Sequence, residues 1–340
     1  MKRSKLYPNT VALELTYNCN NSCIFCSCPW FSTNFPVLEE LTTDEWKRII
    51  DLLVIRGISS ITLTGVEALL RSDSKELIDY IGAKETIRDK SIISNGVLLN
   101  EEIIKLLKKN DFSLSISLPG IKTYKNHTKN YSYEEVLAKI ALAKSYGLRV
   151  TANITVTQLN IDELYENLAL PLIHGADQIL LNRFLPGGRG LKYREQLELT
   201  KNQINNMLNT AETVLRTARR KGSVGTELPY CIVDNPDRYE YLNIGYICSA
   251  AKSFFVIDPS GYVRACNHSE HRLVKFMEFE GDDYWDVFQS RAYIPEICID
   301  CSMVSYCDAG CREAAKICYG DCEALDPVFE TSSIEPKLIY

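Results

Sequence analysis

Along the first two thirds of the chain, short apolar runs rich in β-branched residues alternate with stretches whose apolar positions return every three or four residues. Val11 to Thr16 reads as a strand. Thr42-Thr43-Asp44-Glu45 carries a hydroxyl at the N-cap and a glutamate three residues on, which opens a helix ending near Gly57. Ser60 to Thr64 is the next strand, and Asp73 to Ile81 a helix. Ser91 to Ser94 is a strand, Asn100 caps a helix to about Lys109, and Ser113 to Leu118 alternates as a fourth strand. Ser132-x-x-Glu135 caps a helix ending at Gly147, and Arg149 to Val156 is the fifth strand. Asn160-x-x-Glu163 opens a helix to about Ile173, and Asp177 to Leu181 is the sixth strand.

Six strand–helix repeats between residues 11 and 181 predict an α/β fold, a partial (β/α)6 TIM-like barrel. Parallel strands need crossover helices, and right-handed crossovers curl the sheet. Chemistry in such folds gathers at the C-terminal ends of the strands. Cys19 follows the first strand, Gly65-Val66-Glu67 the second, Ser94-Asn95-Gly96 the third, and Ser117 the fourth. Thr200 to Gly222 reads as one long helix. Beyond it Gly, Pro and Tyr become frequent and the period is lost. A boundary at 222–230 is expected, dividing a core domain, 1–222, from a small cysteine-rich domain, 223–340. The second part shows one hairpin, Phe254 to Asp258, then Pro259-Ser260-Gly261, then Tyr262 to Arg264. So little periodic core calls for covalent or metal staples.

Charge narrows the partners. The 340 residues hold 38 basic and 44 acidic side chains, net −6, which argues against bulk nucleic-acid binding. Arg219-Arg220-Lys221 is the one tight basic cluster and reads as a solvated helix end. No run of 18 apolar residues suggests a membrane span. Met1-Lys2-Arg3-Ser4-Lys5 is basic with no apolar run after it, so no signal peptide and a cytoplasmic location are expected.

Thirteen cysteines then need a role. A reducing cytosol disfavours disulfides. Cysteines serving as small hydrophobes would be scattered, yet none lies between residues 29 and 230. Two dense groups point to metal or cluster sites. Cys19-x3-Cys23-x2-Cys26 offers three thiolates on one loop. Ferredoxin clusters take four, so three leave one iron open to a ligand. Zinc completed by Cys28 is the alternative for this loop.

Cys19-Asn20-Asn21-Ser22-Cys23-Ile24-Phe25-Cys26, after a strand and with an aromatic before the third cysteine, resembles the radical S-adenosylmethionine (radical SAM) superfamily. The resemblance spans residues 11 to about 190. It implies a [4Fe–4S] cluster on the three cysteines, with SAM on the fourth iron, cleaved to a 5′-deoxyadenosyl radical. It also implies SAM contacts: Phe25 beside adenine; Gly65 and Glu67 in Gly65-Val66-Glu67-Ala68, which resembles a Gly-Gly-Glu-Pro stretch; Ser94 and Asn95 near the ribose; Ser117 or Ser115; Asn153; and Arg189 in the turn Gly187-Gly188-Arg189-Gly190.

Cys248-x12-Gly261-x4-Cys266, followed by Cys298-x2-Cys301-x5-Cys307-x3-Cys311, resembles the SPASM extension of that superfamily, which carries two auxiliary iron–sulfur clusters. The resemblance implies one cluster on Cys248, Cys266 and Cys311, with Cys231 as its fourth ligand. It implies a second on Cys298, Cys301 and Cys307. Family members end with a further cysteine, where this chain has Phe329, so Cys322, or else Cys318, is expected to fill that place. Both auxiliary clusters are expected to be [4Fe–4S]. Four-thiolate zinc on Cys298, Cys301, Cys307 and Cys311 is the alternative.

SPASM-bearing enzymes mostly modify peptides by hydrogen abstraction. The resemblance therefore implies a ribosomally made precursor peptide as substrate, a separate leader-recognition protein, and a reductase, flavodoxin or ferredoxin as electron donor. The sulfatase-maturating branch places an Asp after the second SPASM cysteine; here it is Asn267, which takes no proton at neutral pH. The neighbouring His268 is expected on a surface loop. A small-molecule radical SAM enzyme, and a non-catalytic iron–sulfur or electron-transfer protein, are the other readings.

Overall fold

Strand β1 (Thr10–Glu14) sits well inside the sheet, with a predicted neighbour on one side and an unforeseen one on the other. The computed structural model describes residues 8–32, 34–129, 131–280 and 283–332, so the basic start Met1 to Lys5 lies outside them. The strands are β2 (Ser60–Thr64), β3 (Asp89–Ser94), β4 (Phe112–Ser117), β5 (Val150–Val156), β6 (Gln178–Arg183), β7 (Gly222–Val224), β8 (Leu242–Ile244), β9 (Phe254–Ile257) and β10 (Val263–Arg264). They form one sheet in the order β10-β9-β1-β2-β3-β4-β5-β6-β7-β8. Every pair is parallel except the β9–β10 hairpin.

The crossovers are α1 (Thr43–Ile55), α2 (Ser74–Gly82), α3 (Glu101–Lys109), α5 (Tyr133–Ser145) and α6 (Leu164–Ile173), with the short α4 (Tyr124–His127) between β4 and α5. They are followed by α7 (Arg194–Leu197), α8 (Lys201–Ala218), α9 (Asp283–Ser290), α10 (Arg312–Tyr319) and α11 (Val328–Ser332). Thr42 and Glu45 close the expected capping box on α1, and Thr200 and Gln203 close another on α8. No helix among the described residues is long and apolar enough to cross a membrane.

Alternation along β4 and β5 explains where the core and the hollow lie. Phe112, Leu114 and Ile116, and Val150, Ala152 and Ile154, are buried on the helix side. Ser113, Ser115 and Ser117, and Thr151, Asn153 and Thr155, take the half-buried positions between them.

Three expectations change. Asn160 does not cap a helix. Its amide donates to the carbonyls of Pro119 and Thr155, and its oxygen accepts from Thr157 N. A short 3₁₀ turn, Ile161–Glu163, intervenes before α6, and Glu163 accepts from the amides of Ile121, Lys122 and Thr123, tying two strand-end loops together. Gly222 is not helical. Arg219 turns left-handed (φ 51°) after Ala218, and Gly222 starts β7. The hairpin β9–β10 is not isolated: β9 pairs with β1, Leu13 lying opposite both Leu63 and Ile257.

Candidate functional site

The cysteine loop after β1 is held by four backbone bonds, to the loop after β2, to His127 and to the turn after β6. Val66 N donates to Thr16 O, Glu67 N to Asn18 O, Ile24 N to His127 O, and Gly190 N to Cys26 O, all at 3.0–3.2 Å. Arg189 donates to Cys23 O at 3.1 Å and stacks over Phe31, 4.1 Å from the ring centre. Gly188 must be glycine: its φ is +48°, and a Cβ there would lie 2.3 Å from Cys28 O. The Gly187-Gly188-Arg189-Gly190 turn therefore seats directly on the loop that carries the thiols.

A cavity of about 140 Å³ opens over this loop. Cys19, Cys23, Cys26 and Cys28 line it together with Phe25, Gly65, Val66, Ser94, Asn95, Ser117 and Arg189. Tyr124 and Thr128, which sequence reasoning passed over, complete one wall. Asn95 donates to Asn20 Oδ1 at 2.8 Å and approaches Cys19 Sγ at 3.7 Å, and Asn21 N donates to Cys19 Sγ at 3.3 Å. Phe25 packs on His127 with ring centres 5.9 Å apart. His127 is fixed on both ring nitrogens, by Thr123 O and Thr157 Oγ1.

Glu67 is neither exposed nor a wall of this cavity. It is fully buried, and its carboxylate accepts from Asn95 N at 2.8 Å, Ser94 Oγ at 3.0 Å and Leu69 N at 3.3 Å. Burial pushes its carboxyl up to about 7 against those hydrogen bonds. It braces the β2 and β3 loops, while Gly65 and Val66 face the cavity.

Burial raises the Cys19 and Cys23 thiols. The neighbouring Cys26 and Cys19 raise Cys23 further, against Arg189. A hydrogen bond from Cys28 holds Cys26 low despite burial, and the same bond and burial lift Cys28 well above the usual range. Bare thiolates at Cys19, Cys23 and Cys28 are thus disfavoured unless a cation offsets their charge, as the iron of a cluster does. A single ion draws its ligands to within about 2.3 Å of one point. Among the described residues no three His, Cys, Asp or Glu side chains converge in that way. The thiols stand around a hollow, and this donor set fits a multi-iron cluster.

A second cavity, of about 430 Å³, shares Phe25, Cys26, Cys28, Thr64, Gly65 and Ile93 with the first. Asn153, Thr155, Asn182 and Arg183 line it from β5 and β6, and Cys248, Cys266 and Cys311 from the far side. Asn153 therefore stands in this larger space, its oxygen accepting from Asn182 at 2.8 Å. Cys248 N donates to Asp308 and Cys311 N to Asp326, each at 2.7 Å. Burial first, then Glu227, Cys266 and Cys311, raise the Cys248 thiol.

Cys231 is not among the residues that line this cavity. Burial, then Cys307, Cys298 and Cys301, push its thiol up to about 11. Tyr230 N, one residue before it, donates to Cys307 Sγ at 3.3 Å. Cys322 and Cys318 are half-buried. Besides burial, Cys322 is acted on mainly by Asp321 and Lys316, and Cys318 by Arg194 and Glu198. The His268 expectation also changes. The side chain is buried against Pro186 O, Nε2 to O 2.7 Å, and burial drives its titration down to about 4. Asn267 donates to Glu14 at 2.9 Å.

Two buried ion pairs had no sequence signal, because their partners are remote along the chain. Arg264 of β10 meets Glu14 of β1. Arg183 of β6 grips Asp326, which also accepts from Cys311 N.

Residues 13–170 match the radical SAM superfamily model. The PqqA peptide cyclase of Xanthomonas campestris pv. campestris (strain B100) is 27% identical over 96% of this chain and 87% of its own length. That of Rhodopseudomonas palustris is 26% identical over 97% and 89%. Among solved structures, Streptococcus suis SuiB bound to precursor peptide SuiA superposes with a TM-score of 0.71 at 14% identity, covering 94% of this chain and 75% of that one. The enzyme anSMEcpe with bound AdoMet gives 0.73 at 16% identity, covering 95% and 94%. With the thiol loop and its cavity at the strand ends, these findings identify a radical SAM domain over residues 13–170 and indicate a radical SAM enzyme, with SAM and the iron–sulfur cluster of that chemistry.

Proposed function

We propose that this chain matures a ribosomally made precursor peptide by hydrogen abstraction, with residues 1–222 as its radical SAM core and 223–340 as an auxiliary-cluster domain. One observation carries the reading: relatives that act as PqqA peptide cyclases align over nearly the whole chain, 96% of it in the Xanthomonas campestris case, including its cysteine-rich third.

Cys19, Cys23 and Cys26 are the ligands we assign to the primary cluster. When bound, that cluster would supply the electron for reductive cleavage of SAM, the source of the hydrogen-abstracting radical in this chemistry. The chain's own residues do the positioning. Phe25, Ser94, Asn95 and Ser117 shape the cavity over the thiols. Arg189 fixes the Cys23 carbonyl and offsets thiolate charge. The walls shared by the two cavities open the SAM site toward Asn153, Asn182 and the Cys248 group. That larger space suits an extended peptide side chain, which must approach within van der Waals contact of the abstracting carbon. Auxiliary clusters on the two C-terminal cysteine groups would take up an electron or anchor substrate. A reductase, flavodoxin or ferredoxin would supply the electron, and a separate recognition protein would deliver the leader.

The test is anaerobic reconstitution with iron and sulfide, then SAM and a strong reductant. 5′-Deoxyadenosine should form, and a small peptide encoded beside the gene should change mass when co-expressed. A cluster-loaded enzyme that yields no 5′-deoxyadenosine would overturn the reading.

A further inference from the structure

We propose that Cys231 supplies the fourth thiolate of the site formed by Cys298, Cys301 and Cys307, and that Cys318 and Cys322 ligate nothing. The inference rests on the auxiliary-cluster reading above.

The chain has Phe329 where a closing cysteine is expected, and the structure shows why no ligand comes from that end. Phe329 is buried in the core at 6% exposure. The segment before it is tied elsewhere: Asp326 is held by Arg183 and by Cys311 N, and its carboxylate caps Val328 N. Cys322 sits on the turn after α10, where its carbonyl accepts from Arg312. Burial and Asp321 raise its thiol, against Lys316. Burial pushes the Cys318 thiol up to about 11, against Arg194.

Cys231 is the middle residue of the 3₁₀ turn Tyr230–Ile232. That turn is pinned to the thiol loop, since Cys307 Sγ accepts from Tyr230 N and from Ala309 N, each at 3.3 Å. Tyr230 stacks on Tyr246, ring centres 5.0 Å apart, and Tyr246 O accepts from Asp308 N, next to Cys307. The Tyr230–Cys307 hydrogen bond and the path through Tyr246 to Asp308 thus hold the turn that carries Cys231 against this loop. The interactions on its thiol agree, since the sulfurs that act on it are Cys307, Cys298 and Cys301.

Single Ala variants of Cys231, Cys318 and Cys322 should be reconstituted anaerobically, with iron and acid-labile sulfide counted and reduced paramagnetic spectra recorded. With three cubane clusters in the wild type, Cys231→Ala should lose up to about one third of the iron and one spectral component, while the other two match wild type. Next, Cys231→Ala should be placed on two backgrounds. Where Cys298, Cys301 and Cys307 are already Ala, it should remove no further iron. Where Cys248, Cys266 and Cys311 are Ala, it should remove the auxiliary cluster that remains. Loss in Cys322→Ala or Cys318→Ala with retention in Cys231→Ala overturns this assignment alone. Wild-type iron for only one cluster overturns it together with the auxiliary-cluster reading. Should Cys231→Ala not fold, alkylation of the wild-type holoprotein decides: Cys318 and Cys322 should react, and Cys231 only after the clusters are stripped. Reaction of Cys231 in the loaded protein would refute the proposal.

Discussion

The amide of Gly190 donates to the carbonyl of Cys26 at 3.0 Å, so the turn after β6 seats on the loop after β1. Gly188 makes the seat possible, because any side chain there would meet the Cys28 carbonyl at 2.3 Å. A backbone atom cannot step aside as a flexible side chain can. Gly188→Ala should displace the thiol loop and cut 5′-deoxyadenosine formation about 100-fold, the cost of roughly 1 Å of misplacement. Chromatography of the nucleoside products checks this, with far-UV circular dichroism showing the sheet intact. Near-normal turnover would mean that the turn is not part of the site.

Arg183 and Asp326 are 4% and 0% exposed and join β6 to the segment before α11. Removing one partner strands the other charge in the interior. Asp326→Ala should destabilise the protein by about 3–5 kcal/mol, read from the urea midpoint. It should also release iron from the Cys248 group, since Cys311 N loses its acceptor. A shift under about 1 kcal/mol, the range of an exposed pair, would contradict the burial argument.

Glu67 collects donors from Asn95, Ser94 and Leu69. Truncation to Ala orphans them and should cost about 2–3 kcal/mol. Glu67→Gln keeps one acceptor oxygen and should cost less. Calorimetry should show SAM affinity falling along with stability, because the same donors hold the loop that presents Asn95 to the cavity.

His268 titrates at about 4 in the folded chain, with burial the leading cause, against about 6.5 unfolded. Above about pH 6.5 both states are neutral and its contribution is fully present. As pH falls toward 4 the unfolded state takes up the proton first, and stability drops by about 2 kcal/mol by pH 5. Denaturant midpoints of wild type and His268→Gln at pH 7 and pH 5 check the sign. Cluster loss in acid affects both proteins and cancels in the comparison. The wild-type advantage should shrink on acidification; a constant gap would show that the imidazole is not buried neutral.

Local pattern determined much of this protein. The six parallel strands, the Thr42 capping box and the Asn100 cap were legible because each depends on residues within one turn or one strand. The Cys19, Cys23 and Cys26 spacing was equally local. What failed was whatever needed a remote partner. Asn160 has the form of a cap, but its side chain is taken by Pro119 and Thr155. Glu67 looks like a loop carboxylate until the β3 loop folds over it, and His268 like a surface residue until Pro186 covers it. Strands β7 and β8 are three residues long, too short to show a period. The pairing of β9 with β1 and the ion pairs Glu14–Arg264 and Arg183–Asp326 link residues far apart in the chain. So does the meeting of Cys231 with the 298–307 loop. Spacing along a chain fixes neighbours only over the reach of a turn; which distant groups share one interior is set by how the sheet closes and what must be buried together.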